Sequence, residues 1–379
     1  MIALPVPPQT PSLVIDRDVL INNLITMQTA CDAGGVRLRP HGKMHKCSTL
    51  GRLQVEMGAI GLCCQTVGEA ESFARGGIGD LLVSAPLPIW GASRLSKIAR
   101  ETGAHMSAVC DSAAQIERLG ASAVAEGVEM GCLIDVNIGM HRVGCAPDEV
   151  VALVERINAT RGLHYEGIQA YFGHLQHLSE GRVEANAKGT ARLAELVETL
   201  ACEGLKPPQV TGGGSGTYAL DIANRVFTEL QCGSYALMDV EYDDCGGPVG
   251  DWPFKPALFI AASVVSAKHK SHVTIDVGLK ATSVDVSPRI LSGAAPGSRW
   301  RSLGDEHGAV IHPEARADVE LTDADTSIPW PGNAPKEGDT VWLQPGHCDP
   351  TINLYDAFFV TNDEGGLDRW PIDARRTSA

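Results

Sequence analysis

The sequence predicts an α/β fold: a closed (β/α)8 barrel of the TIM type, with a second, mostly β domain at its C-terminal end. Three observations predict it. Eight short apolar runs alternate with helix-spaced segments over the first two thirds of the chain, which is the signature of parallel strand pairing. The texture turns β-rich after about Pro253. Residues capable of chemistry follow directly on five of the eight runs, as they do where a parallel barrel carries its site.

The eight runs are Val36–Leu38, Ala59–Cys64, Leu81–Val83, His105–Cys110, Gly131–Val136, Gly167–Tyr171, Gln209–Thr211 and Phe227–Gln231. Between them, stretches such as Leu50–Glu56, Val67–Arg75, Ala113–Glu126, Pro147–Thr160 and Glu184–Glu203 carry helical spacing. An open doubly wound sheet is the rival arrangement of the same units. Beyond Pro253 the strand-like runs are Ala257–Ser266, His272–Val277, Thr340–Leu343 and Ala357–Thr361, separated by turn-rich stretches at Ser287–Ser298 and Ile328–Gly338. The strand-like opening, Pro11–Asp16, can join that sheet. The expected domains are therefore residues 17–252 for the barrel, and 1–16 with 253–379 for the β-rich part.

Composition narrows the function. The 379 residues are 44 % hydrophobic and 20 % charged, enough for a packed core. A formal net charge of -15 argues against a general nucleic-acid or anionic-membrane surface. No run is long and apolar enough to span a bilayer, and Met1–Pro8 lacks the pattern of a secretion signal. Eleven scattered cysteines without zinc-type spacing read as reduced thiols, which points to the cytoplasm.

Chemistry gathers at the strand ends. The first run leads into Arg39–Lys46, the fifth into Asn137–Arg142, the sixth into Tyr171–His177, the seventh into Gly212–Thr217 and the eighth into Cys232–Tyr235. Lys43 stands between His41 and His45. A lysine beside other cations has a lowered pKa and is suited to bond an aldehyde cofactor; alone it equally fits a surface lysine in a polar loop. The run Gly212–Gly216 offers backbone N–H groups for a phosphate, or simply a tight turn. It matches neither the Walker nor the dinucleotide spacing. In the β-rich part, His347 and Asp349 are two apart, and on extended chain their side chains point the same way. An imidazole and a carboxylate suit zinc, manganese or magnesium; a polar turn before Pro350 is the plainer alternative. Asp305-Glu306-His307 forms another polar cluster, for substrate, for ligand support or for an interface.

Several of these segments carry a resemblance. They are His-Gly-Lys-Met-His-Lys at 41–46, Gly-Leu-Cys-Cys-Gln at 61–65, Gly-Ile-Gln-Ala-Tyr at 167–171 and Thr-Glu-Leu-Gln-Cys-Gly-Ser-Tyr at 228–235. Asp-Glu-His-Gly at 305–308 and Pro-Gly-His-Cys-Asp-Pro-Thr at 345–351 complete them. Over nearly its whole length the chain resembles the D-threonine aldolase and 3-hydroxy-D-aspartate aldolase group of pyridoxal 5'-phosphate enzymes, which are built like alanine racemase (fold type III). The resemblance implies a lyase that cleaves β-hydroxy-D-amino acids to glycine and an aldehyde, with pyridoxal phosphate and a divalent metal, Mn2+ or Mg2+, as cofactors.

It also implies residue roles. Lys43 carries the cofactor in covalent linkage. Arg142 contacts its phenolic oxygen, Tyr171 lies beside its ring, and Gln231 falls where such enzymes face the pyridine nitrogen. Gly213, Gly214 and Ser215 hold the phosphate, with Tyr235 a further cofactor contact. His347 and Asp349 bind the metal, His177 takes the β-hydroxyl proton, and the chain forms a homodimer. Phe172 stands where some D-threonine aldolases have histidine, and His174 where small residues are common, so this pair bears on the β-substituent. The rivals are a dehydratase on the same scaffold, whose relatives carry His-x-Cys where this chain has His-x-Asp, an amino-acid racemase, a non-catalytic pyridoxal-phosphate-binding protein, and a metal-dependent barrel hydrolase.

Overall fold

A computed structural model describes residues 4–269, 271–314, 330 and 334–375. The expected turn-rich stretch Ile328–Gly338 therefore lies partly outside the described residues. The chain opens with β1 (Ser12–Ile15) and α1 (Arg17–Gly34). Eight strands follow: β2 (Arg37–Leu38), β3 (Leu62–Cys64), β4 (Asp80–Val83), β5 (His105–Cys110), β6 (Met130–Val136), β7 (Leu163–Ala170), β8 (Gln209–Gly212) and β9 (Glu229–Leu230). They form one parallel sheet in the order β2-β9-β8-β7-β6-β5-β4-β3. Its end strands also meet: His41 bridges Cys63 in parallel, and the Cys63 N–H donates to Pro40 O at 2.8 Å. The eight strands are thus the TIM-type barrel, not the open sheet.

The intervening helices are α2 (Ser48–Glu56), α3 (Val67–Arg75), α4 (Gly91–Thr102), α5 (Ala113–Glu126), α6 (Val150–Ala159), α7 (Arg182–Cys202) and α8 (Tyr218–Asn224). Their ends have local causes. Thr66 Oγ1 accepts the Glu69 N–H at 3.2 Å at the start of α3, while Gly103 and Gly127 close α4 and α5 in the left-handed conformation. Inside the sheet, Cys63, Leu82, Val109 and Leu133 form a buried cluster across four adjacent strands.

Among the described residues, the β-rich unit forms one nine-stranded sheet. After α9 (Val240–Cys245) come β10 (Leu258–Ser266), β11 (His272–Ile275), β12 (Arg289–Ser292), β13 (Arg299–Ser302), β14 (Gly308–Ile311), β15 (Thr340–Gln344), α10 (Cys348–Ile352), β16 (Ala357–Thr361) and β17 (Leu367–Pro371). Their order is β11-β14-β13-β12-β15-β10-β1-β16-β17. The opening strand joins it as expected, antiparallel to β10 and parallel to β16. The stretch expected only to turn, Ser287–Ser298, carries β12, whose half-exposed residues hide the alternation that marks a strand.

Two compact units divide the chain: Met1–Asn23, Ala236–Asp244 and Phe254–Ile372 in one, Leu24–Tyr235, Cys245–Pro253 and Asp373–Ala379 in the other. The cuts differ from single breaks at residues 16 and 252 because side chains stitch distant segments together. Asn23 Nδ2 donates to Ala236 O and Lys255 O, which gathers those pieces into the β-rich unit. Asp373 accepts the Ser48 N–H at 2.9 Å, and the Ala374 N–H donates to Lys46 O, which returns the last residues to the barrel unit.

Candidate active site

The barrel unit brings the predicted cofactor residues to one rim. Lys43 follows β2, Arg142 follows β6, Tyr171 follows β7, Gly213–Ser215 follow β8 and Gln231 follows β9, so all lie past the C-terminal ends of their strands. Lys43 sits on a single 3-10 turn, Gly42–Met44, that His41 caps: its Nδ1 accepts the Lys43 N–H at 3.4 Å. The two flanking histidines are not the neighbouring cations expected. His41 Nε2 pairs with Ser84 Oγ at 3.1 Å, while His45 accepts the Cys47 N–H at Nδ1 and pairs Nε2 with Gln54 Oε1 at 3.2 Å. Each buried ring has one nitrogen that accepts and one that meets an oxygen, the pattern of a neutral imidazole. They shape the turn rather than charge it. Lys46 is buried in the left-handed region (φ 52°), with Nζ donating to Lys43 O at 2.5 Å.

Tyr171 marks what surrounds Lys43. Burial raises its hydroxyl pKa, and the charges of Lys43 and Arg142 oppose that rise. The Arg142 guanidinium lies 5.8 Å from the Tyr171 ring centroid, a cation over an aromatic face. Arg142 and Tyr171 line one pocket with Asp135, Asn137 and Gln169. Gln231 is buried, and its Nε2 donates to Gln169 Oε1 and Thr211 Oγ1, each at 3.0 Å. Gln169 in turn donates to Asp135 Oδ1 at 3.0 Å. Burial pushes the Asp135 carboxyl up to about 6, against the Gln169 hydrogen bond. Asp135 was not anticipated: inside an apolar strand run, an isolated polar residue carries no motif; Gln169 lies in the Gly-Ile-Gln-Ala-Tyr segment but had no role assigned to it.

The glycine loop has a built cradle. A Cβ at Gly216 would stand 2.0 Å from Gln176 O, so that position excludes a side chain, and one at Gly214 would displace Gln176 Oε1, 2.4 Å away. Ser215 Oγ accepts the Tyr235 N–H at 3.0 Å, and the buried Tyr235 hydroxyl accepts from Gln54 Nε2 at 3.2 Å. Tyr235 thereby ties the loop to the Lys43 side of the barrel. Beneath the loop lies buried Asp221, which accepts from Thr217 Oγ1, Asn186 Nδ2 and the Gly214 backbone. One of the three predicted phosphate-cradle amides, that of Gly214, is therefore turned to Asp221. A lysine amine, an arginine, an aromatic face and a glycine loop on one rim are together a donor set that fits pyridoxal phosphate.

Burial outweighs these donors and raises the Asp221 carboxyl to about 7. Its folded pKa then exceeds the unfolded one, so the folded state binds more protons between about pH 4 and pH 7. The protein is expected to lose a few kcal/mol of stability, in order of magnitude, as pH rises through that window. Denaturant unfolding at a series of pH values checks it: Asp221→Asn, which mimics the protonated carboxyl, should flatten the slope, and an unchanged slope would remove Asp221 as its cause.

The two residues linked to the β-substituent differ in exposure, although their rings meet edge-on at 6.5 Å. Phe172 is fully buried, edge-on to Phe227 at 6.1 Å, in the gap left by Gly189, where a Cβ would meet its ring at 2.3 Å. It packs as a core residue. His174 is exposed on the 3-10 turn Gly173–Leu175, and exposed His177 follows that turn. Phe172→Ala should therefore cost about 3–5 kcal/mol of unfolding free energy and leave KM for the β-hydroxy amino acid within a few-fold. A specific KM change at unaltered stability would place Phe172 at the substrate instead.

In the β-rich unit, the chain does not run extended from His347 to Asp349, so strand alternation does not place the two side chains on one face. His347 is the extended N-cap of α10, and Asp349 lies in the helix's first turn. Cys348 between them is fully buried, with its N–H donating to Asp239 Oδ2 at 2.9 Å. Burial raises the Asp239 carboxyl to about 6, opposed first by the Cys348 and Tyr242 amides it accepts. His347 Nδ1 pairs with Asp285 Oδ2 at 2.6 Å, with Glu241 Oε2 at 3.9 Å. A carboxylate on one ring nitrogen leaves the other for a metal; for His347 that carboxylate is Asp285, with Glu241 farther off. Asp285 stands in a turn with no motif around it and gave no sequence signal. Asp305 and Glu306 pair with Lys280 at the exposed bend before β14.

The chain is similar to known proteins over nearly its whole length. Residues 15–240 match the family model "Alanine racemase, N-terminal domain", and residues 257–361 match "Putative serine dehydratase domain". A 3-hydroxy-D-aspartate aldolase of Paracoccus denitrificans (strain Pd 1222) is 36 % identical over 97 % of this chain and 92 % of its own. A D-threonine aldolase of an Arthrobacter species is 35 % identical over 99 % and 97 %. The crystal structure of D-threonine aldolase from Filomicrobium marinum matches with a TM-score of 0.87 at 31 % identity, covering 100 % of both chains. This chain therefore belongs to the D-threonine aldolase and 3-hydroxy-D-aspartate aldolase family, whose N-terminal domain is that of alanine racemase.

Proposed function

We propose that the protein is a lyase that cleaves β-hydroxy-D-amino acids, of the D-threonine or 3-hydroxy-D-aspartate type, to glycine and an aldehyde, using pyridoxal phosphate and a divalent metal. The observation that carries this reading is the meeting of Lys43, Arg142, Tyr171 and the glycine loop on one barrel rim in a chain of this family. The cofactor, when bound, supplies an electron sink at the substrate's Cα, and the metal supplies polarisation of the β-hydroxyl.

Lys43 Nζ holds the cofactor. Arg142 neutralises the phenolic oxygen, and the Tyr171 ring packs beside it. The loop Gly213–Ser215 holds the phosphate, with the Ser215 hydroxyl set by the Tyr235 amide. Gln231, held by Gln169 and Thr211, faces the ring nitrogen. His347 and Asp349 hold Mn2+ or Mg2+, Asp285 orients the imidazole, and His177 takes the β-hydroxyl proton. The chain works as a homodimer in the cytoplasm. All eleven cysteines are free thiols, which supports a reducing compartment. No described helix is long and apolar enough to cross a membrane.

The bond to be broken must stand perpendicular to the cofactor plane, so configuration at Cα decides which bond breaks. At Cβ the metal needs only an oxygen, and cleavage destroys that centre. Supplying the four threonine isomers separately and following acetaldehyde tests the reading: D-threonine and D-allo-threonine should both be cleaved and the L isomers left intact. Cleavage of the L isomers at matching rates would overturn it.

A further inference from the structure

The opposite end of the barrel carries a second group of metal-capable side chains. His105 opens β5, and His164 and Glu166 lie near the start of β7, at the N-terminal ends of strands whose C-terminal ends lead to the Lys43 rim. His105 Nε2 and His164 Nε2 each stand 2.7 Å from Glu166 Oε1, and the three ligand atoms lie within 4.8 Å of one another. Ser107 Oγ donates to the other carboxylate oxygen at 2.5 Å, fixing its plane.

Two features of the backbone place Glu166 there. The pairing of β6 with β7 shifts register between Cys132↔Tyr165 and Leu133↔Gly167, which leaves Glu166 as an extra residue on β7, the mark of a bulge. The carboxylate then lies over β6 at Gly131, where a Cβ would stand 2.3 Å from its carboxyl carbon and 2.4 Å from both oxygens. A side chain at Gly131 would evict the carboxylate. The bulge and the gap thus bring Glu166 toward His105 on a strand that is not its neighbour. His164 Nδ1 is buried without a hydrogen bond, and Glu129 Oε1 lies 3.8 Å from it, within reach of the carboxylate support that metal-bound imidazoles have. The group opens onto a cleft that Asp80 and Arg39 also line, and Arg39 is neutralised there by Asp80 and Glu229.

We propose that His105, His164 and Glu166 form a second metal site, for a divalent transition ion such as Zn2+, Co2+ or Ni2+, at the N-terminal end of the barrel. Two imidazoles and one carboxylate favour these ions over Mg2+ or Ca2+, which prefer all-oxygen shells. Each imidazole Nε2 now meets Glu166 Oε1, so binding replaces those two hydrogen bonds, leaves each neutral ring's proton on Nδ1, and moves the three ligands apart, from 2.7 Å toward the spacing of ligands each about 2 Å from a common ion. A bound ion ties β5 to β7 across β6, and at least one coordination position stays open to water. The site uses none of the residues assigned to cleavage, so it stands or falls apart from that assignment.

The test uses the full chain with His347 and Asp349 both changed to alanine, stripped with chelator and titrated with Co2+ alone by calorimetry and visible absorption. One equivalent should bind and raise the melting temperature. His105→Ala, His164→Ala and Gly131→Ala should each weaken binding by about tenfold or more. If the parent variant does not fold, the native chain is titrated instead, and His105→Ala should bind one equivalent fewer. No Co2+ bound beyond the His347–Asp349 pair, or binding untouched by His105→Ala and His164→Ala, would overturn the proposal.

Discussion

Lys43→Ala is expected to abolish turnover, by roughly 10⁴-fold or more, and to remove the absorbance of the lysine-linked cofactor. Lys46→Ala, three residues on, is expected to keep that absorbance. Both amines lie on one short segment, so chemistry in sequence alone does not choose between them. The structure separates them: the Lys46 amine is buried against Lys43 O, whereas Lys43 exerts its charge on Tyr171 beside Arg142. Borohydride reduction followed by peptide mapping reads the result without any assay of activity. The pyridoxyl group should appear on Lys43; on Lys46, or on no lysine, it would reverse the assignment.

The second large effect belongs to the metal pair. His347→Ala or Asp349→Ala should lower cleavage by roughly 10²–10³-fold, the worth of several kcal/mol of charge stabilisation at the β-oxygen. The cofactor absorbance should persist, because Lys43 and the metal pair belong to different compact units of the chain. Asp285→Asn should give a smaller loss, about tenfold in metal affinity, since it acts only through the imidazole it orients. Equilibrium dialysis against Mn2+ with the absorbance recorded alongside distinguishes the outcomes. If removing the metal also bleached the cofactor band, the ion would have a structural role, and the division of labour would be wrong.

The barrel was legible because each strand is a short apolar run and each helix a periodic one, and parallel strands buried on both faces leave no alternation to misread. The misses have the same root. The run expected at Gly167–Tyr171 is β7 from Leu163 to Ala170, and its first half reads as polar because His164 and Glu166 serve the N-terminal end of the barrel. The short strands β12 and β13 are half-exposed and rich in arginine and serine, so they resemble turns. At the site, sequence order revealed what stands at strand ends, but not which way each ring faces. His41 and His45 looked like companions to Lys43, and the structure uses them to build its turn. Asp135, Asp221 and Asp285 carry no motif, because what defines them is burial and a distant partner.

Carbon–carbon cleavage and dehydration leave different products from one substrate. The protein loaded with pyridoxal phosphate and Mn2+ is given 3-hydroxy-D-aspartate, and the nitrogen-containing product is identified. Glycine is expected, in equal amount to glyoxylate, with no free ammonia. Ammonia with an oxo acid, and no glycine, would contradict carbon–carbon cleavage and assign the chain to dehydration instead.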